Sequence, residues 1–508
     1  MAVAAVLWIR LGNLGDRPLH HDESLDAWFA WRLSTGRTYV YDPAYHGPLR
    51  IMLTAGLFKL VGAGDTAARC LAAASGVALV ATPGMIRSSL GRVGWIAAAV
   101  ALAVSPTLVY FSRFGREDLP YALAATVGSL ALVEFLREPR AHLAVVGALG
   151  LACAAAIKES FAITVLVLVT YLVGLIAIEW RGLRMWRQIP TLRRFGEVGA
   201  EPWWWAATAF VTVFVLSYTV LFTDPGGVWR GIWDGPTYWL GQHEVGRGSQ
   251  PWSYYGVLAT AYEWPMLILA AIGTWGAVRR PDRVRLFLVW SAISQFVIYS
   301  WAGERFPWLI VHPMVPIAML AGLGAECTWH WGRLRSVGHR WIAASVLAVA
   351  VVWSVGMSVV IAQVRPNDPR ELVVAVQTTD DVRGVAAELD RASATGSILI
   401  DGSDGGGWPF GWYVRDLPVI GFELSSSTIP LGVSAVVVAE ANVPMLGLPP
   451  DAGTPFDLRA TWLPDYSNRS PGVWWSWFTQ RTVWNPVQQV PFRLVLIDPV
   501  TGAVIPSR

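Results

Sequence analysis

Long apolar runs separated by short polar stretches occupy the first two thirds of the chain, at about 1–13, 66–86, 94–112, 119–136, 142–157, 160–179, 203–222, 262–278, 285–302, 307–325 and 341–363. A bilayer core about 30 Å thick needs about 20 apolar residues in helical form, and runs nearer 16 suit tilted, buried or partly re-entrant helices. The pattern predicts 11 transmembrane helices. Residues 1 to 9 are by themselves too few for a full span, and no signal-peptide cleavage pattern follows them. Segment 48–63 is apolar but interrupted by Arg50 and Lys59, and reads as an interfacial or re-entrant helix. From about residue 365 the pattern changes. Arg365-Pro366-Asn367-Asp368-Pro369 reads as a linker, and the runs 372–377, 397–401, 433–440 and 492–498 have strand character. Thr379-Asp380-Asp381 opens an amphipathic helix that reaches Ala392. The prediction is a polytopic α-helical membrane domain over 1–364 and a small C-terminal α/β domain over 365–508.

Charge then orients the helices. Loops carrying Arg87 and Arg92, Arg137 and Arg140, Arg181 to Arg194, Arg279 to Arg285, and Arg333 to Arg340 all fall on one side if 48–63 does not cross, and an excess of arginine marks the cytoplasm. Acidic groups gather opposite: Asp22 and Glu23, Asp42, Glu117 and Asp118, Glu159, Asp224, Asp234, Glu244 and Glu304. The outer loops 13–47, 113–118 and 223–261 and the C-terminal domain are therefore expected to be extracytoplasmic, in a multi-pass protein of the cell membrane.

Composition agrees. Of 508 residues 54% are hydrophobic and only 15% charged, and mean hydropathy is +0.44, more apolar than a soluble core requires. A net charge of +3 spread over alternating loops makes no case for nucleic acid. Cys70, Cys153 and Cys327 have no paired spacing, which argues against a disulfide framework or a cysteine-based zinc site. Lysine stands only at Lys59 and Lys158, so arginine carries nearly all the positive charge.

Candidate chemistry sits at the outer helix ends, where ionisable groups are costly unless they face protein, water or substrate. His20-His21-Asp22-Glu23-Ser24 and Tyr41-Asp42-Pro43-Ala44-Tyr45-His46-Gly47-Pro48 form one such loop, in which Asp22 reads either as a reactive carboxylate or as the N-cap of the helix that follows. Arg113-Phe114-Gly115-Arg116-Glu117-Asp118 places cations and acids together, either as a site or as a self-satisfied ion-pair knot. Lys158-Glu159 lies between two apolar segments with almost no loop. Gly303-Glu304-Arg305-Phe306-Pro307-Trp308 precedes His312 by one turn. If the bundle folds back on itself, these ends meet in a polar cavity at the outer membrane boundary. In the loop 223–261, His243, Glu244, Arg247, Gln250, Trp252 and Tyr255 have the aromatic, amide and cationic mixture that suits a sugar; the same mixture suits an interfacial belt. Tyr41 and Asp42 join them as candidate sugar or acceptor contacts. The glycine-rich stretch 402–407 lacks the Lys-Ser/Thr of a phosphate loop and reads as a flexible turn. Trp474-Trp475-Ser476-Trp477-Phe478 reads as a membrane-docking or cavity-roofing run.

Asp22-Glu23 in the first outer loop, Ser105-Pro106 followed by Arg113 to Asp118 in the second, and the late Arg305-Phe306-Pro307-Trp308-Leu309 with His312-Pro313 resemble the GT-C membrane glycosyltransferases of the protein O-mannosyltransferase and lipid A aminoarabinose transferase type. His21-Asp22-Glu23-Ser24, Tyr238-Trp239-Leu240-Gly241-Gln242-His243 and Glu371-Leu372-Val373 are more closely similar to an archaeal and Chloroflexi family described as flippase-activity-associated in glycan assembly. The resemblance implies a polyprenyl-phosphate sugar donor, a glycan, lipid or protein acceptor, and Asp22 as the catalytic or metal-proximal carboxylate with Glu23 as its partner. His46 stands where the aminoarabinose transferases carry a lysine near the donor phosphate, and Arg305 where close relatives carry lysine. Glu117 and Asp118 fall where other members place a second acid, so a divalent ion, magnesium or manganese, on Asp22, Glu117 and Asp118 is the one cofactor implied. A leaving phosphate needs cations, which Arg116, Lys158 and Arg305, with Arg113, Arg50 and His46, are placed to supply; Asp22 is the candidate base. The alternative is a lipid-linked glycan translocation factor without transfer chemistry, for which polar residues would continue through the inner half of the membrane.

Overall fold

A computed structural model describes residues 2–181, 188–421, 428–468 and 470–506. Among them seven helices are long and apolar enough to cross a bilayer: Asp65–Leu90, Asp118–Arg137, Phe161–Trp180, Tyr254–Arg279, Arg283–Trp301, Pro307–Arg333 and Val337–Val364. An eighth arises if Arg92–Val104 and Pro106–Ser112, bent by 55° at their junction, form one span. The remaining expected spans appear as Ala2–Leu11, Ala141–Ile157 and Glu201–Tyr218, which are shorter or less apolar. Length and apolarity by themselves therefore carry seven or eight of the 11 expected crossings. Pro307–Arg333 is enclosed by protein along its apolar window, whereas Phe161–Trp180 and Val337–Val364 leave most of theirs uncovered, as lipid-facing helices do. The central helix meets Tyr254–Arg279 backbone to backbone: a Cβ on Gly324 would lie 1.8 Å from the Leu269 carbonyl oxygen, and one on Gly273 would lie 1.9 Å from that of Leu320.

The expectation of one continuous helix over 94–112 is corrected by the break at Ser105-Pro106. Proline has no amide to donate and disfavours helical geometry in the residue before it. The freed backbone groups are answered from elsewhere in the chain. Arg10, buried on the short first helix, donates to the carbonyls of Leu102 at 2.5 Å, Ala103 at 3.2 Å and Leu108 at 3.3 Å. Glu263, buried on Tyr254–Arg279, accepts from the Thr107 amide at 2.9 Å and from the Ser105 and Thr107 hydroxyls at 2.7 Å. A cation thus lies at the carboxyl end of one half-helix and an anion at the amino end of the next, as their dipoles favour. Segment 48–63 forms the helix Pro48–Val61, with proline in its first turn, Arg50 buried, and Leu53, Leu60 and Val61 exposed.

The C-terminal part holds a six-stranded mixed sheet of β1 (Gln377–Thr378), β2 (Ser397–Ile400), β3 (Val419–Gly421), β4 (Val433–Ala439), β5 (Thr454–Thr461) and β6 (Gln488–Leu496), in the order β1-β5-β6-β4-β2-β3. β2 runs parallel to β3 and β4, and the other pairings are antiparallel. The helix Asp381–Ser393 buries Val382, Val385 and Leu389 against the sheet. The expected strand over 372–377 forms only at its last residue. Leu372, Val373 and Val374 instead enter the core of the helical part, where Leu372 bonds through its carbonyl to the Tyr254 hydroxyl and through its amide to that of Tyr262, each at 2.9 Å. An unbroken apolar run is suited to enclosure rather than to a sheet with one solvated face.

The stretch 402–407 is likewise not a free turn: it makes a helical turn at Ser403–Gly405 and leads into Gly407–Tyr413. There Trp412 and Tyr413 donate to the Asp65 carboxylate at 2.8 and 2.9 Å, and Arg383 pairs with it at 2.8 Å, so the sheet part is pinned to the start of a spanning helix. The tryptophan run forms the helix Pro471–Gln480, with Trp477 buried against Tyr262 and Trp475 exposed. The Asn468-Arg469-Ser470 sequon includes a residue outside those described.

Arg10→Met leaves the Leu102 and Ala103 carbonyls buried without a donor, at about 1–3 kcal/mol for each. The expected result is a lowered thermal midpoint in detergent, measured by intrinsic tryptophan fluorescence; an unchanged midpoint would show that the break does not need the guanidinium.

Candidate active site

The helix His21–Ser34 starts on a capping box. His20 accepts from the Asp22 amide at 3.1 Å, and Glu23 accepts from the His20 amide at 2.9 Å. Because His20 is the cap, the Asp22 carboxylate is released from that task; its side chain keeps 29% exposure and pairs with Arg116. Glu23, one residue on, is 0% exposed. It receives Arg69 through both oxygens at 2.7 Å and the Gly115 amide at 2.5 Å, so it locks the loop before Asp118 onto the first outer helix. Its lone pairs are taken up by these donors, and it acts on the site by positioning.

From Asp22 an unbroken chain of charges runs inward. Arg116 reaches Asp22 and, at 2.8 Å, Glu117, with its guanidinium 4.8 Å from the ring centre of Trp308. The Lys158 ammonium, 4% exposed, lies 3.0 Å from Glu117 and 2.6 Å from Asp118. His46 stands 3.3 Å from Glu117 and 2.8 Å from Glu159 and stacks on Trp239, while His312 stands 3.3 Å from Asp118. Arg50 pairs with Asp26, one helical turn beyond Asp22. The charged helix ends thus meet in one cluster.

Their electrostatics separate the acids. Burial would raise Asp22, but Arg116 above all, then His20 and His21, outweigh it and hold the carboxyl below its usual range, ionised. Burial would raise Glu23 too, and Arg69, Arg17 and the Gly115 amide bring it down to about 2. For Asp26 burial prevails over Arg50, with Glu117 and Asp22 adding to it, and the carboxyl is pushed up to about 6. Burial works against a charged His46, yet Glu117 and Glu159 raise its pKa above the ordinary 6.5.

Other expected site residues lie elsewhere. Arg113 donates to the carbonyls of Ile9, Arg10, Gly12 and Asn13, closing the carboxyl end of Ala2–Leu11; its donors are engaged in the scaffold. Arg305 donates to Gln250 O at 2.9 Å and Ser300 O at 3.1 Å, and backbone bonds tie Arg247 to Gly303 and Arg305. The segment from Arg305 passes Trp308, under Arg116, to His312, beside Asp118, so Arg305 flanks the cluster without touching it. Tyr41 is buried with its hydroxyl on Glu159 at 3.2 Å, and the exposed Asp42 caps a one-turn helix. Gln250 accepts from the Tyr466 hydroxyl at 2.7 Å, Tyr255 donates to Phe306 O at 2.9 Å, and Trp252 and Arg247 are exposed. The side chains of His243 and Glu244 lie outside the described residues.

Sequence reading missed Asp26 and Arg69. Asp26 follows Asp22 by four residues, a spacing that puts both on one helix face and could have revealed it; nothing near Arg69 signals that it answers Glu23. Among the described residues no group of three His, Cys, Asp or Glu side chains is arranged to hold a metal. The expected set of Asp22, Glu117 and Asp118 fits an ion poorly, because Arg116 already joins the first two and Lys158 the last two.

A groove of about 830 Å³ runs between Tyr254–Arg279, Arg283–Trp301 and Pro471–Gln480, lined by Trp252, Val257, Trp264, Phe296, Ser300 and Trp474 among others. Ser300, which lines it, is the residue whose carbonyl accepts from Arg305.

No family model matches the chain, and no curated protein sequence matches it. Solved structures do. ArnT from Cupriavidus metallidurans bound to undecaprenyl phosphate is 16% identical with a TM-score of 0.62, over 90% of this chain and 95% of that one. The oligosaccharyltransferase AglB from Archaeoglobus fulgidus, in complex with an inhibitory peptide and a dolichol-phosphate, is 10% identical with a TM-score of 0.56, over 87% of this chain and 69% of that one. The same Archaeoglobus fulgidus enzyme in complex with Zn and sulfate gives 10% identity and a TM-score of 0.54, over 87% and 68%. The chain, with its long apolar helices and C-terminal sheet part, shares the fold of these structures.

The raised pKa of His46 carries a stability prediction. A histidine whose folded pKa exceeds its unfolded value contributes stability that is fully present below pH 6.5 and is lost as pH rises through the raised value. The wild-type thermal midpoint should therefore decline above neutrality relative to His46→Asn; parallel pH profiles of the two proteins would remove the charged imidazole from the cluster.

Proposed function

We propose that this chain is a membrane glycosyltransferase that moves a sugar from a polyprenyl-phosphate donor to an acceptor hydroxyl on the extracytoplasmic face. The observation that carries the reading is Asp22: an ionised, part-exposed carboxylate at the open end of an otherwise buried charge cluster. Such a group can take a proton, whereas Glu23, Glu117 and Asp118 are engaged with buried cations.

In the reaction the acceptor oxygen attacks the anomeric carbon as the bond from that carbon to the phosphate oxygen breaks. The hydroxyl proton passes to Asp22, and the bonding electron pair leaves with polyprenyl phosphate. One displacement inverts the anomeric configuration. The leaving phosphate needs positive charge at its oxygens rather than a proton donor, and Arg116, with Arg305 at the flank, supplies it. Arg116 stands beside the part-exposed Asp22, and Lys158 keeps a third N–H beyond its two carboxylates. Glu23, through Arg69 and Gly115, holds this loop in register.

The groove below Arg305 suits the isoprenoid tail. Its walls are apolar and aromatic, and its head end shares Ser300 with Arg305, so a lipid lying there presents its phosphate to the arginine. Donor recognition of this kind agrees with neighbours whose structures hold undecaprenyl phosphate and dolichol-phosphate. The acceptor is a glycan, lipid or protein hydroxyl approaching from the side of the C-terminal domain, which we assign to residues 365–508 and to the outer face. No step is assigned to a divalent ion.

Purified protein with radiolabelled polyprenyl-phosphate hexoses and an acceptor extract tests the reading. Asp22→Asn should lower transfer at least about a hundredfold, as expected when a general base is lost; equal transfer by both proteins would take Asp22 out of the mechanism. Arg305→Ala should weaken donor binding and slow turnover together, and an unchanged donor affinity would count against its phosphate role.

A further inference from the structure

We propose that Lys158 is a built-in replacement for a divalent cation, holding Glu117 and Asp118 together so that the site works without a bound metal ion. The inference rests on the transferase reading for its activity assays, but its geometry and its binding test stand apart from it.

The two carboxylates are adjacent in sequence, buried at 0% and 2% exposure, and face each other across a gap that one ammonium fills. At 3.0 and 2.6 Å from the two oxygens, the ammonium occupies the space between them that a bridging cation would need. The same oxygens carry further donors. Glu117 Oε1 also meets Arg116 at 2.8 Å and His46 at 3.3 Å, and Asp118 Oδ1 meets His312 at 3.3 Å. An added ion would have to displace Lys158 or sit against three positive or protonatable groups. The remaining oxygens, Glu117 Oε2 and Asp118 Oδ2, have no hydrogen-bond partner, so the pair keeps acceptor capacity that the ammonium does not exhaust.

Residue choice points the same way. The chain has 39 lysines and arginines, with lysine at positions 59 and 158 only. Apart from the imidazoles of His46 and His312, the other cations of the buried network are guanidiniums, planar forks with donors in fixed directions. An ammonium is a compact point charge with rotatable donors, the side chain whose shape and field come nearest to an ion lying between two acids. Lysine therefore stands where a single compact charge lies between two buried acids.

The test uses the full chain in detergent or nanodiscs. Wild-type transfer should be unchanged in excess EDTA, and manganese titrated into wild type should give no bound signal by electron paramagnetic resonance. Lys158→Ala should bind manganese, Lys158→Ala with Asp118→Asn should lose that binding, and magnesium or manganese should raise Lys158→Ala transfer at least about tenfold. Lys158→Arg, which keeps the charge but not the shape, should stay impaired with or without ions. The proposal is overturned if EDTA abolishes wild-type transfer and magnesium or manganese restores it, if wild type binds manganese and Glu117→Gln removes the signal, or if Lys158→Arg is fully active. Should Lys158→Ala fail to fold, the two wild-type measurements and Lys158→Arg decide. Should wild type transfer nothing from any donor, the transferase reading falls, and manganese binding by wild type and Lys158→Ala still decides this one.

Discussion

The ammonium of Lys158 between Glu117 and Asp118 is the interaction on which the charge cluster at these helix ends depends. Two adjacent buried carboxylates would repel each other and the apolar helices around them, and removing one partner of such a group leaves an uncompensated charge costing about 3–5 kcal/mol. Lys158 belongs to the turn between Ala141–Ile157 and Phe161–Trp180, whereas the carboxylates open Asp118–Arg137, so the pair ties neighbouring helices at their outer ends. Arg116 extends the tie to Asp22, and His312 extends it to the central helix.

Charged residues of the same kind carry out two distinct tasks. Arg10 and Arg113 lie at helix ends and satisfy carbonyls that the breaks in the chain set free. Arg69 saturates Glu23 and three carbonyls besides, from Leu14, Arg17 and Pro18. Arg116 and Lys158 instead pair with acids, Arg116 with the part-exposed Asp22 and Lys158 with the buried Glu117 and Asp118. A guanidinium whose hydrogen bonds go to backbone carbonyls builds the scaffold. One paired with a part-exposed carboxylate is, in the proposed mechanism, placed to meet a substrate. The same contrast separates Glu23 from Asp22, which are adjacent in sequence and differ only in what surrounds them.

The sheet part packs against the same helix ends. Asp65, at the head of a spanning helix, receives Trp412, Tyr413 and Arg383, and His20 meets the Ala375 carbonyl at 3.1 Å. Glu371, buried in the linker region, holds Arg481 at 2.9 Å and the Tyr262 hydroxyl at 2.7 Å. These polar ties hold the sheet part against the outer helices. The aromatic helix Pro471–Gln480 lies beside the groove, and the apolar body and polar edge of its tryptophans suit that boundary.

Apolar period, arginine asymmetry and the shift in pattern near residue 365 were enough to determine a multi-pass helical protein with an α/β extension, because burial in lipid demands continuous apolar helices whatever their neighbours. Clustering of opposite charges at the outer helix ends was legible for a related reason: charge at that depth persists only where it is paired or used. Tertiary structure alone decided which charges these were. Whether Asp22 caps a helix or pairs with Arg116 as a part-exposed carboxylate depends on His20 taking the cap. Whether Arg113 meets a substrate or a helix end depends on a segment about 100 residues distant. The break at Ser105-Pro106 is written in the proline, but the Arg10 and Glu263 that make it tolerable come from other helices. Pairing partners are set by three-dimensional proximity, and a one-dimensional pattern records the presence of a charge without recording what lies opposite it.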